Sequence, residues 1–453
     1  MKAPNIIVIL ADDLGYGDLG CYGSSVHDTP RLDAMADEGV RFTDFYSASP
    51  VCSPSRAALM TGCYPRRVGL ERGHNGRPVL FPADPIGLHP DESTIGDVLR
   101  DAGYATALIG KWHLGDQPSF LPANHGFDRY FGLPYSNDMQ PAHPANAKHQ
   151  FPPLPLLDHN ELLEVDPNQV TLTDRYLVES VDFIREQAAA ERPFFLCLSH
   201  MYVHVPLHVP HRFMAASRNG NYGAAVAHLD AATGVLFDTL AELGIDRNTL
   251  VVFTSDNGCN PKHGGSNAPL RGGKGSTLEG GMRMPCLVRW PETIPAGATC
   301  PSLVTMMDLL PTFASLAGGE PSVGRVIDGH DITPLLRDPS NAASPRESFA
   351  YFSTRGELAA VRRGRWKLNV LGGELFDLET DLGETTDRSA EREDVVEDLE
   401  EIARRYRDDL GDEATGARGG GCRPSGRCDD PGPLASERWN HPALRALYDI
   451  EED

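Results

Sequence analysis

The chain has 453 residues, 40% hydrophobic and 23% charged, enough to bury a large core without help from disulfides or metals. Its 64 acidic and 41 basic residues give a formal net charge of −23. That excludes nucleic acid or an anionic membrane as the main partner, because both demand cationic surface. At about 150 residues per domain the length suggests two or three domains.

Taken in chain order, the first predicted element is a buried strand at Ile6–Leu10, rich in β-branched residues and ending at Asp12-Asp13. The run is far short of the roughly 20 residues of a spanning helix. One lysine precedes it and no small-residue cleavage site follows, so it reads poorly as a signal peptide. The expectation is a cytoplasmic protein as written, or a periplasmic or secreted one if a targeting segment was trimmed. Thr29-Pro30, with Leu32, Met35 and Ala36 before Gly39, spells a helix with its cap, first-turn proline and terminal glycine.

Cys52-Ser53-Pro54-Ser55-Arg56-Ala57-Ala58-Leu59-Met60-Thr61-Gly62 reads as a second helix. Cys52 stands at its N-terminus, where free N–H groups favour anions. The residues alone leave two readings of that cysteine: a buried structural thiol or a thiolate nucleophile. A strand over Ala105–Ile109 then runs into Lys111-Trp112-His113. The proline-rich stretch 136–170 reads as a long loop over one face. A helix over Leu172–Ala190 precedes a strand over Phe194–Leu198, which leads to His204 before Pro206. Val226, Leu229, Leu236, Leu240 and Leu243 keep helical spacing up to Gly244. Leu250–Thr254 is a strand running into Asp256-Asn257-Gly258, and Cys286–Trp290 is another.

From about residue 340 the pattern becomes short strands at 348–353, 358–361 and 366–370. An acidic helix at 391–410 follows, then a Gly-, Pro- and Arg-rich irregular stretch holding Cys422 and Cys428. Strands alternating with helices imply an α/β fold whose mainly parallel central sheet is flanked by helices, over residues 1–340. A small C-terminal α+β domain with an antiparallel sheet is expected over 341–453. Nine cysteines, an odd number, argue against a full disulfide framework.

Four buried strands thus deliver acids, a lysine and histidines to one edge. In open α/β sheets, ligands bind beyond the carboxyl ends of the strands. Each pair alone is most often a turn or a cap, whereas four together point to one site. Asp12, Asp13, Asp256 and Asn257 form a hard oxygen set suited to Ca²⁺ or Mg²⁺ and not to zinc. With Arg56, Lys111 and Lys274 nearby, the equipment suits a tetrahedral oxyanion such as sulfate or phosphate.

The segment from Cys52 resembles the signature of the formylglycine-dependent sulfatases of the alkaline-phosphatase-like superfamily, Cys-x-Pro-Ser-Arg-x-x-x-Leu-Thr-Gly. The chain departs from it only late, with Met60 in the leucine position. Residues 5–17, Gly110-Lys111-Trp112-His113-Leu114-Gly115, and Leu270–Gly275 with Glu279-Gly280-Gly281 are similar to that family's first metal strand, catalytic strip and lysine loop. The N-terminal half looks most like the arylsulfatase and N-acetylgalactosamine-6-sulfatase branches.

The resemblance implies that a formylglycine-generating enzyme or equivalent maturase oxidises Cys52 to formylglycine. It implies a metal, usually Ca²⁺, held by Asp12, Asp13, Asp256 and Asn257 and by the modified Cys52. Arg56 and Lys111 then orient the hydrate, His113 takes a proton when the aldehyde is regenerated, and His204 and Lys274 bind sulfate and help the alcohol depart. The implied reaction is hydrolysis of a carbohydrate or aryl sulfate monoester through a sulfo-enzyme intermediate. Two alternatives stand beside it: a phosphonate monoester or phosphodiester hydrolase of the same superfamily, and a non-catalytic metal-binding protein with unmodified Cys52. Loops near 68–90, 135–165 and 258–270 are expected to choose the alcohol.

Overall fold

The computed structural model describes residues 3–142, 146–321 and 324–435. Its main sheet is built from β1 (Asn5–Ala11), β2 (Val40–Tyr46), β3 (Ala105–Gly110), β4 (Arg129–Gly132), β5 (Pro155–Asp158), β6 (Glu161–Val165), β7 (Phe194–Ser199), β8 (Thr249–Ser255), β9 (Arg283–Arg289) and β10 (Ala298–Cys300). Their spatial order is β10-β2-β9-β8-β1-β7-β3-β4-β5-β6, and the short pair Val304–Thr305 also joins β2. The central run from β8 through β1, β7 and β3 to β4 is parallel. β9 is antiparallel to both of its neighbours. All seven residues of β1 are buried, as expected of a strand covered on both faces.

The two-residue period of β1 sorts its side chains between two cores. Ile7 and Ile9 pack with Leu32 and Met35 of α1 (Pro30–Asp37), with Tyr176 and Ile184 of the helix Leu172–Ala189, and with Val226 and Leu236 of the helix Gly220–Glu242. Ile6, Val8 and Leu10 face the other way. They pack with Ala57 and Ala58 of α2 (Cys52–Thr61), Leu99 of α3 (Ile95–Asp101), and Leu310 and Phe313 of the helix Leu309–Ala317. The sheet is thus sandwiched between two helical layers, as the alternation of elements predicts.

The second core continues without a break into the C-terminal part. There β11 (Phe349–Phe352), β12 (Leu358–Arg363), β13 (Trp366–Asn369) and β14 (Leu375–Asp377) form an antiparallel meander. Phe349, Tyr351, Val361 and Leu368 belong to the same cluster as Leu10, as do Leu399, Ile402 and Ala403 of the helix Glu393–Leu410.

Two local expectations are corrected. The stretch read as a loop over 136–170 contains the β5–β6 hairpin, which extends the sheet by antiparallel pairing. Pro155 is tolerated because it opens its strand. The stretch after 410 is not wholly irregular: Gly426–Arg427 pairs with Ile86–Gly87, and Arg423 clamps Glu92 at 2.7 and 2.9 Å. All nine cysteines are free thiols, Cys422 and Cys428 included. No helix among the described residues is long and apolar enough to cross a membrane.

Candidate active site

The loops leaving β1, β3, β7 and β8 are laced to one another by main-chain hydrogen bonds. Asp256 N–H donates to the Ala11 carbonyl at 3.1 Å, Asp12 N–H to Tyr202 at 2.7 Å and Lys111 N–H to Ser199 at 2.7 Å. Gly110 makes the last contact possible. Its φ is +112°, and a Cβ there would lie 1.8 Å from the Ser199 carbonyl oxygen. Asp13 and His113 also hold left-handed backbone, at φ 63° and 66°. Non-glycine residues adopt that region at a cost, and it concentrates at functional positions.

Helix α2 presents Cys52 to this edge. Val51 precedes it in extended conformation, and Gly62 at φ 66° ends the helix with its N–H on the Ala58 carbonyl. Every residue from Cys52 to Thr61 is buried. Ser55 Oγ donates to the Asp256 carbonyl, so the helix is pinned directly to the loop after β8.

The sequence-predicted residues converge as follows. Cys52 Sγ lies 3.3 Å from Asp12 Oδ1 and 3.5 Å from Lys274 Nζ. Lys274 Nζ donates to Asp13 Oδ2 at 2.8 Å, and Lys111 Nζ donates to Asp12. The Arg56 guanidinium spans Asp256, at 2.8 and 2.9 Å, and Asp12, at 3.5 Å. His204 Nε2 is 3.8 Å from Asp13 Oδ2, with Nδ1 on the Val205 carbonyl at 2.6 Å. His113 Nε2 lies 3.0 Å from the Leu80 carbonyl, while its Nδ1 has no partner. Together Cys52, His113, His204 and Lys274 line one cleft of 270 Å³ with Ser136, Asp138, Met139, Val79, Phe81, His149 and Phe151.

Charge explains the protonation of the cluster. Burial works to raise the Asp12 carboxyl, but Lys111, His204, Arg56 and Lys274 outweigh it and hold Asp12 far below the usual carboxylate range. Burial and the neighbouring Asp12 push Asp256 up to about 6, against Arg56 and Lys111. Burial, then the Asp12 charge, pushes the Cys52 thiol well up despite both lysines. A thiolate nucleophile is therefore disfavoured here. Burial, Lys111 and Arg56 drive His113 well below the ordinary imidazole range, so it stands neutral.

A family model described as Sulfatase matches residues 4–319. The chain belongs to the sulfatase family. As a sulfatase it is a sulfuric ester hydrolase. It is 41% identical over 387 residues to N-acetylgalactosamine-6-sulfatase of Canis lupus familiaris, covering 81% of this chain and 71% of that one. It is likewise 41% identical to human (Homo sapiens) arylsulfatase A over 387 residues, covering 81% and 74%. Among solved structures, it superposes on Ps i-CgsB in complex with k-i-k-neocarrahexaose with a TM-score of 0.79, 30% identity, and 100% and 98% of the two chains covered.

The family's metal fits the residues present in this sulfatase. Ligand atoms of Asp12, Asp13, Cys52 and Asp256 all lie within 4.8 Å of one another and are buried. Asn257 donates its amide to Asp13 at 2.6 Å, but its side-chain oxygen is buried without any partner. Three carboxylates and an orphaned carbonyl oxygen are a hard donor set that a divalent cation satisfies.

Some residues of the site were not foreseen. Ser199 Oγ accepts from Arg56 at 2.6 Å and donates to the Lys111 carbonyl. Ser136 Oγ accepts from Lys111 at 3.3 Å. Ser199 ends a strand beside the other site loops, a signal that could have found it; Ser136 lies in a loop without periodicity and gave none. Of the three loops expected to line the pocket, those near 68–90 and 135–165 do so, while none of the described lining residues comes from 258–270.

Proposed function

We propose that this sulfatase hydrolyses the sulfate monoester of a carbohydrate or aryl alcohol, with residue 52 as the nucleophile after a maturase converts Cys52 to formylglycine. The observation that carries this reading is the placement of Cys52 Sγ within 3.5 Å of both Asp12 and Lys274 on the floor of one cleft. The names of the dog and human relatives support a carbohydrate or aryl ester. Hydrated formylglycine supplies two hydroxyls on one carbon, the first to attack sulfur and the second to let sulfate go. Asp12, Asp13, Asp256, Asn257 and residue 52 would hold Ca²⁺, with Mg²⁺ the alternative for such oxygen ligands. That cation supplies positive charge for the sulfuryl oxygens.

The remaining roles fall to this chain's own side chains. Three carboxylates face three cations, Arg56, Lys111 and Lys274, so the protein part of the cluster is balanced and a divalent ion leaves it positive for an anionic ester. Arg56 and Lys111 fix the side chain of residue 52 and the Asp12–Asp256 pair. Burial pulls Lys274 down, but the Asp13 and Asp12 carboxylates raise it well above the ordinary lysine range, so it stays charged and binds a sulfuryl oxygen. The Nδ1–H of His204 is committed to the Val205 carbonyl, which aims Nε2 into the cleft. A bound sulfate raises its proton affinity, and the proton it gains is delivered to the departing alkoxide. His113 Nδ1, buried and unpartnered, is the base that takes the proton released as the aldehyde re-forms.

The test is sulfate release from aryl and sugar sulfates by protein co-produced with a maturase, with mass analysis of the peptide holding residue 52. Activity should track the converted fraction. Full activity with only thiol at residue 52 sinks the reading.

A further inference from the structure

We infer that the cleft selects a leaving group made of one uncharged ring bearing a single sulfate, held by an aromatic wall of Phe81, His149 and Phe151. This rests on the sulfatase reading of the cleft floor and extends it to the alcohol. The three rings pack on one another. Phe81 and Phe151 have centroids 5.4 Å apart, His149 stacks on Phe151 at 5.3 Å, and Phe81 meets His149 edge-on at 5.1 Å. Arg77 lies over Phe81 at 4.5 Å and is itself fixed by Asp84 at 2.9 Å. The wall is therefore a braced surface, and Val79 and Met139 extend its apolar character within the cleft. Such a surface suits the C–H face of a pyranose or the face of an aryl ring.

Volume and charge narrow the choice further. The cleft measures 270 Å³, below the roughly 300–1,000 Å³ of sites for drug-sized ligands, which is room for one ring with its sulfate. Among the described lining residues Lys274 is the one lysine or arginine, and it already serves Asp13 and Cys52. Among the described lining residues, a second sulfate or a ring carboxylate would be desolvated with no lysine or arginine to meet it beyond the one that serves the first. Monosulfated neutral rings fit; disulfated sugars and sulfated uronates do not.

The experiment compares 4-nitrophenyl sulfate, galactose 6-sulfate, methyl sulfate and a glucosamine 2-N,6-O-disulfate as substrates of the calcium-loaded, converted enzyme. The same four are titrated by calorimetry into protein left with Cys52 unconverted. Either ring monosulfate should exceed methyl sulfate and the disulfate by at least about tenfold in kcat/KM and should rank first in affinity. The two ring substrates distinguish an aryl from a sugar preference. Phe151→Leu and Phe81→Ala should each shrink the ring-to-methyl preference several-fold. Equal handling of mono- and disulfate, or an unchanged ring-to-methyl preference in both phenylalanine variants, overturns the inference. Preferential ring binding with no sulfate released from any ester overturns the proposed chemistry and leaves the cleft assignment standing.

Discussion

Lys274 sits on a loop with its side chain one-fifth exposed, its ammonium on Asp13 and Cys52. Lys274→Ala should therefore lower kcat by about 10²–10³-fold, the range seen when one donor to developing charge is removed. Its Tm should stay within a few degrees of wild type. A large drop in Tm with modest loss of activity reassigns Lys274 to the fold. Cys52→Ser tests the need for two hydroxyls. Serine offers one, beside the same lysines, so the variant should release about one equivalent of alcohol per site and stop. The sulfate should then be found on the peptide containing residue 52. Steady turnover near the wild-type rate argues against the aldehyde. Both predictions rest on residues legible in the sequence, because strand ends concentrate chemistry and the helix-start motif around Cys52 is long. Ser136 and Phe151 were illegible as site residues: nothing in a proline-rich stretch says which residue folds back over a cleft 84 or more positions from Cys52.

At the scale of elements, the lysine loop is anchored from the C-terminal meander. Lys367 of β13 donates to the Thr277 carbonyl at 2.8 Å and pairs with Glu279 at 3.0 Å and Glu384 at 2.7 Å, all three side chains being buried. Glu384 in turn accepts from Glu279 N–H at 2.8 Å, and its carbonyl accepts from Arg271 at 2.9 Å. Lys367→Met takes from two buried carboxylates the cation they share, which should cost about 3–5 kcal/mol in chemical denaturation. Activity should also fall at temperatures where the variant is still folded, because the loop bearing Lys274 is freed. Unchanged stability shows that Glu279 finds enough support from Arg283 and Tyr46 alone. The strands and helices themselves were largely readable, since β1 is a continuous apolar run and the helix at 393–410 carries its burial in its own period. The pairing of a lysine in one short strand with a glutamate 88 positions earlier has no period to announce it. The edge hairpin was hidden for a related reason. The prolines of 136–170 argued for a loop, and the antiparallel pairing that recruits Pro155 belongs to the sheet.

Over the whole molecule, acid titration should first stabilise and then destabilise. Burial raises Asp18, Asp116 and Asp230 to about 6 each. In the folded state these groups hold a proton between about 4 and 6 that the unfolded chain has released, so stability falls as pH rises through that window. Glu279 runs the other way. Burial opposes it, but Lys367, Arg283 and Arg362 bring it down to about 2, so its contribution is lost as pH drops below about 4.5. With calcium in excess, Tm should therefore climb as pH is lowered from 7 to about 5 and fall again below about 4. A Tm that declines steadily from pH 7 downward contradicts this balance.

The arrangement of the central strands also sets a clock on the proposed maturation of Cys52. Cys52 is 2% exposed in the finished fold, closed in by Asp12 from one end of the domain and by Lys274 from far along the chain. β1 acquires its neighbours only when β7 and β8 have been made. The ribosome must therefore extend the chain by about 200 residues past Cys52 before the pocket can shut, which takes about 10–40 s at typical synthesis rates. That interval is when a maturase can reach the thiol. Slowing translation between residues 60 and 250 should raise the converted fraction, and chain released and folded before it meets the enzyme should stay a thiol.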